Sequence, residues 1–323
     1  MPKKKLSKRS NNLNLGSQEL LKQINSKSLQ LLEKYKIDMS IRELSDKTIL
    51  NYISDIHQWF RYIYLYQDNK PITELTEDDI TEFLYFAKMN GNSTRRNKRR
   101  SASLSAFYKF LRRKKIILEN PMEFIERAKK DIDVYTQTFL SQDQVELMKE
   151  KLTDYGDIQL KTYALLSLST MARVTAISNL RWEQCNFEER TFNDVLEKEG
   201  KIVTLYFSDE VCNLLQNLKQ YRLDNQIDDH GWVFFTGYQG STDSISKSTL
   251  TEWAHKIGTM IGVPELHPHD FRHSGSQLMM LNGAPIQLIS DLLNHSGLDV
   301  TKKHYLRADK KKTQADKDKY CAI

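Results

Sequence analysis

Along the N-terminal third of the chain, apolar residues return every three or four positions, the repeat of a helix with one buried stripe. From Ser45 the set Ile49, Tyr52, Ile53, Ile56, Phe60 and Ile63 keeps that spacing, with Ser45 or Asp46 as its cap. Thr76 and Asp79 have the spacing of a capping box for a second helix, Leu75 and Ile80 can staple its entry, and Gly91 suits its end. A third helix is predicted from Thr94 to Lys115, with Leu104, Phe107, Tyr108 and Leu111 as its buried stripe and Arg96, Arg99, Arg100 and Ser103 together on another face. Asn120-Pro121 stops this helical region, and the polar, aperiodic stretch 127–138 reads as a linker.

A new pattern begins beyond it. Ser141 and Gln144 form another capping box, with Leu140 and Val145 as staple. The run from Tyr163 to Met171 is dense enough for a fully buried helix. Two β-prone segments, Phe192–Leu196 and Ile202–Phe207, flank Glu197-Lys198-Glu199-Gly200 and predict a hairpin. Helices are expected over about 209–221 and 248–261, with Trp232-Val-Phe-Phe and a loop rich in Gly and Ser between them. The chain closes with His267–Gly283, where Pro268 suits a first helical turn and Gly283 a stop, and with 285–294. These elements predict a mainly α fold with a small β hairpin or sheet. Its domains are a disordered basic arm over 1–16, a helical domain over 17–126, the linker, a second domain over 139–309 and a polar tail over 310–323.

Composition adds a class to this outline. With 39% hydrophobic and 28% charged residues in 323, the chain can bury two cores, and no apolar run approaches a membrane span. No signal-peptide core follows the basic N-terminus, so a cytoplasmic, nucleoid-associated protein is expected. Cys185, Cys212 and Cys321 are odd in number and lack metal-ligand spacing, which argues against a disulfide framework or a zinc site. The net charge of +6 is modest, yet the positive charge is gathered into blocks. One holds Arg95, Arg96, Lys98, Arg99 and Arg100, and another holds Arg112 and Arg113; between Thr94 and Lys115 there is no acidic residue. An exposed helix face stabilised for its own sake mixes signs, so this one is expected to meet the DNA backbone.

Candidate chemistry lies in the second domain. A cation directly after an apolar helix, as at Arg173, is costly unless an anion satisfies it, and no nearby position in the sequence supplies one. His269 and Arg272 fall three apart on one helical face, and an imidazole beside a guanidinium fork suits a phosphate. Lys198 stands at the hairpin tip, His295 follows Leu292-Leu293-Asn294, and Tyr305 comes ten residues later. His267, His269 and His273 are residues of a kind that binds metals, but Arg272 among them would repel a metal, so none is expected.

The order Arg, Lys, His-x-x-Arg, His, Tyr over 141–307 resembles the catalytic domain of the tyrosine recombinases, or phage-type integrases, and the first domain is similar to that family's helical, SAM-like core-binding domain. The resemblance implies sequence-specific binding of double-stranded DNA, with two domains closing on the duplex. Strand cleavage without metal, cofactor or energy source would then proceed through a 3′-phosphotyrosyl bond to Tyr305. It implies that Arg173 and Arg272 bind the non-bridging oxygens, that Lys198 protonates the leaving 5′ oxygen, and that His269 and His295 hydrogen-bond the phosphate or assist proton transfer.

The chain departs from the family pattern in places. Ala176 and Gln184 stand where acidic residues are usual, Asn294 replaces a glycine, the tail is short and polar, and Lys201 competes with Lys198 for the hairpin role. Two functions therefore remain open. One is a recombinase that integrates a mobile element or prophage and works as a tetramer on two sites. The other is a catalytically silent repressor on the same fold, working as a monomer or dimer.

Overall fold

A computed structural model of the chain describes Leu13, Leu15 and the ranges 18–126, 139–197, 200–236 and 243–294. The chain divides into two compact units, Met1–Val134 and Tyr135–Ile323, and the division falls within 127–138, outside the described residues.

The first unit holds α1 (Ser26–Ile41), α2 (Asp46–Tyr66), α3 (Glu77–Met89) and α4 (Thr94–Arg113). α2, α3 and α4 begin at side-chain caps, and those of α2 and α3 are the expected ones. Ser45 accepts from the Thr48 N–H, and Ser93 from that of Arg96. Thr76 and Asp79 form the reciprocal pair, the Thr76 N–H donating to Asp79 at 2.8 Å. The stapling residues Leu75 and Ile80 are both buried. α1 is an addition to the expected set; its buried face, Leu31, Leu32, Tyr35 and Met39, is narrow and set in a mostly polar helix. Aromatic side chains fill the centre, with Tyr35 against Phe107 at 5.0 Å between ring centroids and Tyr62 against Phe83 at 5.2 Å. The expected disordered arm is corrected at its end: Leu13 and Leu15 are buried in this core, and the Leu13 N–H donates to Gln58.

The second unit comprises α5 (Gln142–Tyr155), α6 (Ile158–Thr170), α7 (Val174–Ser178), β1 (Cys185–Asn186), β2 (Thr191–Leu196), β3 (Ile202–Tyr206), α8 (Asp209–Asp224), α9 (Lys247–Met260), α10 (Pro268–Leu281) and α11 (Ile286–Leu292). The three strands form an antiparallel sheet in the order β1-β2-β3, with Leu196 paired to Ile202 at the turn end of the β2–β3 hairpin. α6 is buried on nearly every side, as its apolar density predicts, with α5, α8, α9 and α10 packed around it. Where α10 crosses α6 there is no side chain between the backbones. A Cβ on Gly275 would lie 2.2 Å from the Leu168 carbonyl oxygen, so only glycine permits this approach. Trp232-Val-Phe-Phe forms no strand beyond a single bridge from Trp232 to Arg181. Instead the buried Arg222 pins that segment, donating to the Trp232 and Val233 carbonyls at 2.9 and 2.8 Å and pairing with Asp229 at 2.8 Å. Among the described residues no helix is long and apolar enough to cross a membrane.

Candidate active site

The site begins where α6 ends. Met171 takes a left-handed conformation at φ 52°, a strained choice for a side-chain-bearing residue, and so turns the chain sharply into Arg173, the residue that opens α7. Its carbonyl then accepts a hydrogen bond from Arg272 Nη1 at 2.7 Å, while Arg272 Nη2 donates to the Leu293 carbonyl at 2.6 Å. Arg272 is only 3% exposed. Two main-chain acceptors at the ends of α6 and α11 thus fix the plane of its guanidinium.

α10 carries Arg272 on its second turn. His267 caps the helix, Pro268 occupies the first turn as expected, and the Asp270 carboxylate accepts from the His267 N–H at 2.8 Å. Burial pushes the Asp270 carboxyl above its ordinary range, against the lowering pull of that N–H. The helix ends at Leu281, with Gly283 at φ 90° two residues on. His269 lies one turn before Arg272, exposed, with its ring edge-on to His273 at 4.7 Å.

The hairpin supplies the opposite wall. Arg173, whose side chain is 32% exposed, pairs with Glu197, whose side chain is 1% exposed. No nearby position in the sequence supplies Arg173 with a carboxylate; its partner sits on another element, 24 residues on. The Glu197 N–H donates to the Lys201 carbonyl at 2.8 Å, and Lys201 Nζ reaches the Asn294 carbonyl at 3.3 Å. Arg173, Glu197 and Lys201 are thus linked by contacts that reach Asn294, while Arg272 holds Met171 and Leu293, which lie close to Arg173 and Asn294 in the chain. Ala176 is fully buried in α7, and Gln184 donates to the Asp194 carbonyl at 3.0 Å, tying the turn before β1 to β2. Lys198, His295 and Tyr305 lie outside the described residues.

The basic face of α4 is turned otherwise than expected. Asp55 of α2, 1% exposed, receives Arg96 at 3.0 Å, Arg99 at 3.1 Å and the Ser103 hydroxyl at 2.9 Å. Arg100 has no exposed surface; it donates to Gln58 at 2.6 Å and to Asn92 at 3.3 Å, and burial pushes its guanidinium down to about 10. The expected DNA contact is corrected for Arg100, which has no surface to offer, and for Arg96, whose side chain is 13% exposed and committed to Asp55. Arg95 is exposed and Lys98 half-buried. Arg112 and Arg113 are exposed and pair with Glu123 at 2.9 Å and Asp38 at 2.5 Å. With Ser101, Ser105 and Lys109 those two line a cleft of about 520 Å³.

The family model described as "Phage integrase family" matches residues 138–312, and that of the "Phage integrase, N-terminal SAM-like domain" matches 32–115. A tyrosine recombinase of Pseudothermotoga lettingae is 28% identical over 284 residues, covering 86% of this chain and 93% of its own. Among solved structures, the Tn1549 transposon integrase in complex with a circular intermediate DNA superposes with a TM-score of 0.68 at 16% identity, covering 90% of this chain and 98% of that one. A lambda integrase dimer bound to a COC′ core site gives 0.67 at 16% identity, covering 90% and 81%.

Proposed function

Because the chain belongs to the phage integrase family, the tyrosine recombinases, we propose that it binds a specific duplex site and cuts and rejoins DNA there through a 3′-phosphotyrosyl bond to Tyr305, integrating or excising a mobile element or prophage. The observation that carries this reading is Arg272, buried and aimed by two carbonyls while Arg173 stands two residues beyond one of them. Fixed guanidinium groups of this kind neutralise the oxygens of a phosphate as charge builds on them, with no reorganisation at the moment of reaction. Tyr305 would attack phosphorus, and the hairpin lysine, Lys198 or Lys201, would protonate the departing 5′ oxygen; His269 and His295 would hydrogen-bond the phosphate or assist the proton on the tyrosine. The phosphodiester energy is kept in the protein–DNA bond, so rejoining needs no external source. Recombination of two sites would assemble four copies. Arg95, Lys98, Arg112 and Arg113, exposed or half-exposed, are the proposed backbone contacts in the first unit, acting on chromosomal DNA in the cytoplasm.

A second reading draws on Ala176, fully buried where a carboxylate is usual: a protein that keeps the DNA clamp and has lost turnover, acting as a repressor. One experiment separates the two. The bound site is found by genome-wide pulldown, and that duplex, nicked just 3′ of each candidate phosphate, is incubated with the protein and run on a denaturing gel. A covalent adduct that disappears in Tyr305→Phe, with DNA affinity held within about twofold, is the expected result. Tight, specific binding without an adduct at any nick turns the conclusion to the repressor.

A further inference from the structure

Glu197 takes no part in the chemistry assigned to the other residues, yet it is a deeply buried acid at the heart of the site, its side chain 1% exposed. A carboxylate so placed is costly unless it is paired, and Arg173 pairs with one of its oxygens; the other, Oε1, has no hydrogen-bond partner among the described residues. α7, the helix that Arg173 opens, contains no acidic side chain. The negative charge facing Arg173 therefore comes across space from the hairpin. Glu197 is also the hairpin's throat: its N–H closes on the Lys201 carbonyl at 2.8 Å, and the next residue in the chain is Lys198.

We propose that Glu197 is a positioning residue that couples Arg173 to the β2–β3 hairpin, so that the arginine and the hairpin lysine are set against the same phosphate by one carboxylate. The proposal rests on the recombinase reading above. A guanidinium has five N–H donors; the contact with Glu197 occupies Nη1, and the 32% of the side chain still exposed offers the rest to a phosphate. Held at one end, Arg173 keeps its orientation when the DNA arrives. Because Glu197 is anionic, it lowers the site's total attraction for phosphate even as it aligns the arginine. Its loss should consequently lower the rate of strand cleavage while leaving ground-state affinity the same or tighter, a split that a residue needed only for folding or for DNA contact does not produce.

The test uses the full-length protein and the nicked duplex described above, read for adduct formation at saturating protein and, separately, for DNA affinity. Glu197→Gln keeps the shape and removes the charge: adduct formation should slow at least tenfold, with the dissociation constant unchanged within about twofold or tighter. Cleavage within twofold of the wild type, or affinity weakened in parallel with cleavage, overturns the proposal. Should Glu197→Gln melt out, Glu197→Asp takes its place. Its shorter arm draws Arg173 toward the hairpin, and a several-fold loss of cleavage at unchanged affinity is expected; a wild-type rate from a folded Glu197→Asp protein overturns the coupling. Absence of any adduct from the wild type is a different failure: it overturns the recombinase reading itself, and the positioning role with it.

Discussion

The two units use arginine in opposite ways. In the first, Arg96 and Arg99 turn inward from one helix onto the Asp55 carboxylate, and their charges are largely consumed in joining α4 to α2, while Arg100 beside them donates to the neutral side chains of Gln58 and Asn92. In the second, Arg272 is 3% exposed and donates to two main-chain carbonyl oxygens, which fix its orientation, and Arg173 keeps a third of its side chain exposed beside Glu197. Burial alone therefore does not separate the two uses: Arg100 and Arg272 are both buried and both donate to neutral oxygens, and what differs is which elements each one joins. The Asp55 pairs tie two helices of the first unit together, whereas Arg173 and Arg272 are the groups proposed above to receive a phosphate.

The largest effect that would break this contrast belongs to Asp55→Ala. It leaves Arg96 and Arg99 without their carboxylate and is expected to destabilise the first unit by about 3 kcal/mol, the lower end for a buried pair because the Arg99 side chain is 39% exposed and reaches water. Thermal unfolding followed by circular dichroism should show the transition of that unit lowered by more than about 10 °C; an unmoved transition would mean that the arginines are not structural. Next comes Arg272→Ala, which removes the donors to the Met171 and Leu293 carbonyls at a stability cost of about 2 kcal/mol. Its signature is functional, since adduct formation should be lost while most protein remains folded. Equal loss of folding and activity would erase the distinction between the two units. Arg95→Ala is the smallest. At this exposed position stability should change by less than about 0.5 kcal/mol, while DNA affinity falls a few-fold and the logarithmic salt dependence of binding flattens by about one. Affinity that does not respond to Arg95 or to salt would remove the first unit's remaining cations from the interface.

Local signals carried most of the elements. Ser45, Thr76 and Ser141 announced helix starts that are observed, because a cap is a contact between residues two or three apart and is written in adjacent letters. The hairpin strands lie within a residue of their expected bounds. The inward turn of α4 was not legible, since Asp55 lies 44 residues before Arg99 and the rule that acid-free helix faces are exposed considers only the helix itself. The same limitation hid Glu197 from Arg173. A usable signal existed only for Glu197, which directly precedes Lys198; Asp55 and Gln58 lie on other sides of α2 from its apolar stripe, where a polar residue is unremarkable. α1 escaped because its apolar face is too narrow to stand out from a polar background. The run Ser274-Gly275-Ser276, three small residues in succession inside a helix, is a further local signal of the close crossing, one from which no expectation was drawn.

That crossing has a consequence for anyone who would graft or retune this site. At Gly275 two backbones meet without an intervening side chain, and the contact is governed by the steepest part of the repulsive potential. Its spacing cannot drift gradually as core residues nearby are exchanged; it is kept or it is lost. The position of Arg272, one turn away, is thus inherited from a backbone gauge fixed to tenths of an ångström. A library varying the surrounding leucines should return folded proteins with the arginine in register, whereas a transplant that moves α10 without α6 should carry the arginine and leave its calibration behind.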